Sequence, residues 1–274
     1  GQTYATIQAA LDQLYADVGS DAFTETKIIN VHAGTYTEQV EPNANLNPTS
    51  DCRLVIQANT GDSPVVDGED TRSYGFYIDG VDYVTISGFE ITSCTSAGIR
   101  ATTAEEYGHP QYITIESNII HDCVDGIYGV RSHYATIQYN VIYNNSSEGI
   151  KLGSWIHDCS IINNTCYNNT EGIEDGRTKS TWTATVIKNN ICASNATDFV
   201  GGSEKDATYS YNLSSDDTAT GTGSITNTDP YFEDIGNPPD FHLLSNSPAR
   251  DAGEGGVDMG AYPNYSSYPN THTQ

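Results

Sequence analysis

The chain has 274 residues, 36% of them hydrophobic, which supplies one sizeable core but no apolar run long enough to cross a membrane as a helix. Eleven Lys and Arg stand against thirty-six Asp and Glu, a formal net charge of −25, so the overall field repels polyanions and argues against nucleic acid as a partner. With 10% aromatics and 25 Gly, the composition is that of a folded chain.

The first predicted element is a helix, because Ile7, Leu11 and Leu14 share one face of residues 6–15 and form a stripe suited to covering an open apolar end. Residues 27–36 and 53–58 follow as extended segments. An internal repeat then begins: Val84-Thr-Ile-Ser-Gly-Phe, Ile113-Thr-Ile-Glu-Ser-Asn, Ala135-Thr-Ile-Gln-Tyr-Asn, Cys159-Ser-Ile-Ile-Asn-Asn and Ala184-Thr-Val-Ile-Lys-Asn, with a fainter copy from Ala207. Each copy is a short strand of period two. Ile86, Ile115, Ile137, Ile161 and Val186 are expected on one inward column, and Thr85, Thr114, Thr136, Ser160, Thr185 and Thr208 on an outward row.

The sixth position reads Phe89, Asn118, Asn140, Asn164, Asn189 and Asn212. An Asn every 23 residues or so, roughly one solenoid turn, points to an inward amide ladder that satisfies itself at a tight corner. A second block precedes each copy: Gly75-Phe76, Gly98-Ile99, Gly126-Ile127, Gly149-Ile150, Gly172-Ile173 and the degenerate Asp198-Phe199. Each turn therefore holds at least two strands, and their apolar columns can be buried only by coiling. The prediction is an all-β parallel β-helix with coils of roughly 23 residues and an N-terminal α-helical cap. It forms a single domain over 1–262, with the cap in 1–26, coils in 27–217 and a closing segment in 218–262, where residues 240–253 shut the other end. Residues 263–274 read as a polar tail or linker.

The capping segment "YATIQAALDQL", the first-coil segment "VHAGTYTE" and the ending "FHLLSNSPARDAG" with "DMGAY" resemble the pectate-lyase-like superfamily of right-handed parallel β-helix proteins. The resemblance spans nearly the whole chain and implies right-handed coiling. It implies little about activity, because that superfamily holds lyases, hydrolases, epimerases, surface proteins and phage fibres.

The residue two after each block Gly points outward, giving a column of Tyr77, Arg100, Tyr128, Lys151 and Glu174. Aromatic faces and basic groups in alternation suit an acidic glycan. Uronate lyases remove a proton alpha to a carboxylate, which calls for an amine of lowered pKa and a cation to neutralise the carboxylate. Lys151 is the candidate base, Arg131 or Arg177 the candidate neutraliser. The resemblance adds Glu174 with Asp175 as a candidate Ca²⁺ site, and no other cofactor is required. The opposing reading makes Lys151 and Glu174 an ordinary exposed ion pair. Hydrolysis would need two or three Asp on adjacent coils; Asp122, Asp125 and Asp158 fall at turns and read as structural, and His121, His133 and His157 lack metal-site spacing. Bulges at 104–110 and 177–182 leave at most a shallow groove.

Six Cys include no CxxC. Cys94 and Cys123 occupy equivalent places in successive coils and are a candidate disulfide, with buried thiols the alternative reading and the preferred one for Cys159 and Cys166. Sequons at Asn144, Asn145, Asn163, Asn168, Asn195, Asn212 and Asn264, in a Tyr-rich and Lys-poor chain, suggest a secreted or cell-surface protein. Two functional classes follow. The first is an extracellular module with a structural, self-assembling or glycan-binding role, whose partners are polysaccharide or copies of itself; the second is a polysaccharide lyase acting on a uronate glycan by β-elimination.

Overall fold

The computed structural model describes residues 2–102, 111–129, 132–154, 156–176, 185–201 and 207–263. Its strands form three long parallel sheets that wind around one core, plus a two-stranded antiparallel hairpin. The first sheet has eight strands from Lys27–Val31 to Thr208–Ser210, the second eight from Thr35–Tyr36 to Leu213–Ser214, and the third six from Tyr74–Asp79 to Thr197–Gly201. No described helix is long and apolar enough to cross a membrane.

Coiling puts chemically alike residues in register. Ile56, Ile86, Ile115, Ile137 and Ile161 pair in succession along the first sheet, all inward and almost fully buried. The next member is Ile187, not Val186, because Ser160 pairs with Val186 and Ile161 with Ile187. Val186 therefore joins the outward row in place of Thr185, which is buried and accepts a hydrogen bond from the Cys159 N–H. The corner explains the one-residue shift. The residue before each ladder Asn is left-handed: Ser117, Tyr139, Asn163, Asn189 and Tyr211 have φ between 51° and 58°. The expected alignment would place Lys188 there, whereas Asn tolerates that conformation better.

The ladder is consequently Asn118, Asn140, Asn164, Asn190 and Asn212. The Nδ2 of each of the first four donates to the next Oδ1 at 3.0–3.1 Å, and all five donate to a carbonyl, that of Ile86, Ile115, Ile137, Ile161 or Ile187. Each Oδ1 from Asn140 onward also accepts the backbone N–H of the Asn one coil earlier. The awkward backbone angle falls on the neighbour, leaving these amides free to bond. A second ladder runs through Asn145, Asn169, Asn195 and Asp198. Cys123 heads it, its N–H donating to Asn145 Oδ1.

The block glycines have a packing reason. A Cβ on Gly98 or Gly126 would lie 2.4 Å from the Cγ2 of Ile120 or Ile142, so only glycine lets the third sheet close against the second.

At the N-terminal end, α1 (Ile7–Val18) lays Ile7 and Leu11 on the core, with Leu14 partly buried beside them. Thr6 Oγ1 accepts the Ala9 N–H, and the Glu38 carboxylate accepts the N–H groups of Ile7 and Gln8, placing negative charge at the helix N-terminus. The closing segment divides: its first residues cover the far end, whereas residues 232–261, including those expected to shut it, lie along a flank. Its hairpin of Phe232–Asp234 and Asp240–Leu243, with Ala249, Met259 and Ala261, covers outward Val141, Tyr143, Ile191, Ala193 and Leu213 of the second sheet. The end itself is covered by buried Ala219 and by bridges from Ser210 to Thr222 and from Leu213 to Ile225.

Candidate functional site

The outward column stands as expected on the third sheet: Tyr77 pairs with Arg100, Arg100 with Tyr128, Tyr128 with Lys151, and Lys151 with Glu174. Its N-terminal half is aromatic and cationic. The Arg100 Cζ lies 4.6 Å from the Tyr128 ring centre and 5.6 Å from that of Tyr74, which itself stacks on Tyr77 at 4.9 Å. These contacts hold the guanidinium over ring faces. Arg131 and Arg177 lie outside the described residues, as do Asn264 and the tail beyond it.

The C-terminal half is dominated by carboxylates. Asp125, Glu148 and Glu171 occupy the position just before Gly126, Gly149 and Gly172, on successive coils, with Glu148 and Glu171 in register. Lys151 Nζ contacts Glu148 Oε1 at 2.6 Å and Glu174 Oε2 at 3.2 Å, and lies 5.4 Å from the Tyr128 ring centre. Asp125 is therefore a member of a cluster and not merely a turn residue. The signal was present in the sequence as Asp-Gly, Glu-Gly and Glu-Gly, one place ahead of the glycines already aligned.

Burial and proximity separate the carboxyls electrostatically. Burial, then the hydrogen bond and charge of Glu148, push Asp125 up to about 7. Burial would also raise Glu148, but hydrogen bonds from Asp125, Lys151 and Ser147 overcome it and hold Glu148 at about 2. Glu171 is raised by burial and then by the charges of Glu174 and Glu148. Its Oε2 is buried and has no hydrogen-bond partner among the described residues. Around pH 7, then, Asp125 is poised to give a proton while Glu148 stays ionised.

Lys151 departs from expectation. Burial works to lower its pKa, but the hydrogen bonds and charges of Glu148 and Glu174 outweigh it and hold the amine above its ordinary value. A base of lowered pKa is not what this environment makes. The candidate metal pair also separates, since Glu174 points outward while its neighbour Asp175 is 1% exposed on the inward face. Glu148, Glu171 and Glu174 do converge, one oxygen from each lying within 4.8 Å of the others. The Lys151 ammonium pairs with two of the three and supplies positive charge at that point.

The remaining candidates resolve by burial. Asn144 and Asn168 are exposed at a corner, where Asn168 Nδ2 donates to Asn144 Oδ1 at 2.7 Å. Asn145, Asn195 and Asn212 are ladder members, and Asn163 is buried with Nδ2 on the carbonyls of Asp258 and Gly260, so none of these four presents a free amide for a glycan. Cys94 and Cys123 are unbridged thiols, as are Cys159 and Cys166.

Chain-length variation is confined to one corner. Two residues always join a first-sheet strand to the second sheet from Ser87 onward, and three or four join the second sheet to the third from Thr92 onward, but four to eleven follow a third-sheet strand. Inserted material thus enters where the strands carrying the cluster end.

No curated protein sequence matches this chain. Among solved structures it is similar to pectate lyase Pel9A, at 15% identity and a TM-score of 0.38 over 87% of this chain and 86% of that one. It is also similar to the A-module of the mannuronan C-5 epimerase AlgE4 of Azotobacter vinelandii, at 19% identity and a TM-score of 0.42 over 76% of this chain and 62% of that one. The model of the family described as right handed beta helix region matches residues 45–221, well over half the chain, and with the three stacked parallel sheets this makes the chain a member of that family.

Proposed function

We propose that the outward face of the third sheet binds an acidic polysaccharide and cleaves it by β-elimination. The observation that carries this reading is the Asp125–Glu148–Glu171 column with Lys151 set among it, three carboxyl groups whose proton affinities their surroundings drive apart. Lys151 is charged, so its role is to pair the uronate carboxylate and stabilise the negative charge that grows there when the alpha proton leaves. Glu171, raised in proton affinity and with one oxygen unpartnered, accepts that proton. Asp125, protonated near neutrality, gives its proton to the leaving glycosidic oxygen. Glu148, tied to Asp125 and Lys151, positions both. Tyr77, Arg100 and Tyr128 extend the face towards the N-terminal coils, where they take further sugar rings and an anionic group. A protein acting on such polymers is expected at a cell surface or outside the cell.

The test is incubation with uronate polymers, following absorbance of the unsaturated product. Product formed by the native chain and lost in Asp125→Asn and Glu171→Gln supports the reading. New reducing ends without absorbance would move the chemistry to hydrolysis, and binding without any product would return the face to the non-catalytic glycan-binding module.

A further inference from the structure

The second ladder changes chemistry partway along. From Asn195 back to Asn145 each side-chain oxygen accepts a backbone N–H one coil earlier, with the Asn169 and Asn145 N–H groups bonded at 2.8 and 3.0 Å, while Asp198 Oδ1, in the same coil as Asn195, accepts the Asn195 N–H at 3.3 Å. Cys123 receives the last such bond on its N–H, from Asn145 Oδ1 at 3.0 Å. Beyond it, the rung between Cys123 and Cys94 is a thiol: the Cys94 N–H donates to Cys123 Sγ at 3.4 Å, a weak bond where the later coils have an amide or carboxylate. No side-chain amide remains to tie these two coils together at this corner.

The backbone brings the two cysteines level. Thr92 pairs with His121, and the Val124 N–H donates to the Cys94 carbonyl, so Cys94 and Cys123 are stacked neighbours in adjacent coils. Adjacent strands lie about 4.8 Å apart, within the Cα separation a disulfide accepts. The Cys123 sulfur already faces residue 94. A second stacked pair, Cys166 and Cys192, provides an internal contrast. Both are fully buried on paired strands. Their thiols also approach each other, but the coils that carry them are already tied by the Asn169–Asn195 amide rung, so no contact is missing there.

We infer that Cys94 and Cys123 form a covalent rung under oxidising conditions, an inter-coil disulfide replacing the missing amide contact, while Cys166 and Cys192 remain thiols. The two thiols lose two protons and two electrons as the sulfur–sulfur bond forms, and a small-molecule disulfide accepts them, its own bond breaking to give two thiols. In the folded chain the hydrogen bond between the pair, and then burial, hold the Cys123 thiol well above its ordinary pKa, so exchange takes place while the coils assemble.

The experiment refolds the full chain in oxidised and reduced glutathione, blocks remaining thiols with an alkylating agent under denaturing conditions, and maps the linked peptides by mass spectrometry. Two of the six cysteines protected, in one peptide pair joining Cys94 to Cys123, is the expected result. Its partner measurement is thermal unfolding, where adding reductant lowers the midpoint of the native chain but not that of Cys123→Ser or Cys94→Ser. Six alkylated cysteines would overturn the inference, as would a link between Cys166 and Cys192 or a midpoint indifferent to reductant in the native chain.

Discussion

Two columns run along this solenoid at the same spacing with opposite electrostatics. Asn118, Asn140, Asn164, Asn190 and Asn212 are neutral and carry both donors and acceptors, so each new coil satisfies the amides of the last. Asp125, Glu148 and Glu171 are acceptors only when ionised, and the same stacking sets like charges beside one another, at a cost of about 0.2–1 kcal/mol per contact. The first column explains itself by stability. The second does not, and the chain accommodates it by protonating Asp125 and inserting Lys151. A charge arrangement that folding alone would not select is the physical ground for placing chemistry there.

The comparison is broken most sharply by amides. Replacing Asp125 or Glu171 with the isosteric amide keeps the shape and removes proton transfer, so product formation should fall by about 10²–10⁴-fold, and Lys151→Ala should fall comparably; initial rates of absorbance change check all three. On the other column, Asn164→Ala strips bonds from the Asn140 N–H and Nδ2 and from the Ile137 carbonyl. A loss of about 2 kcal/mol in denaturant unfolding is expected.

Acidity sharpens the contrast next. Because Asp125 is raised to about 7 when folded, against about 3.9 for an ordinary Asp, the native state binds the extra proton between those values. Its stabilising contribution is present below that window and lost as pH rises through 7. Glu148, lowered to about 2, acts in the other direction, contributing above its ordinary range and losing that contribution in strong acid. Unfolding measured from pH 4.5 to 7.5 should therefore decline more steeply for the native chain than for Asp125→Asn, and activity should fall on the alkaline side as the donor deprotonates. The smallest expected effect is that of a chelator, which should leave activity unchanged if Lys151 holds the position a cation would take.

What the sequence made legible follows from how often a residue type recurs. Asn118, Asn140 and Asn164 announce their ladder by simple repetition, and so do the glycines against which Ile120 and Ile142 press. Where two Asn lie side by side at 189 and 190, period alone cannot choose, and only the left-handed corner preference decides. The second ladder is obscured because Cys94 and Cys123 occupy its first rungs. The carboxyl column mixes Asp with Glu and is flanked by Ala97 and Thr197, so it lacks a uniform letter to read. The flank position of the C-terminal hairpin depends on outward apolar residues such as Val141 and Ile191, whose partner surface lies far off in sequence.

The most direct measurement is the urea unfolding midpoint of Glu171→Gln at neutral pH and low salt. If the carboxyl column is kept for chemistry at some expense of stability, removing one negative charge raises the midpoint or leaves it unmoved while product formation is lost. A midpoint that drops as it does for Asn164→Ala would show the column to be a structural rung like the amides, contradicting the account.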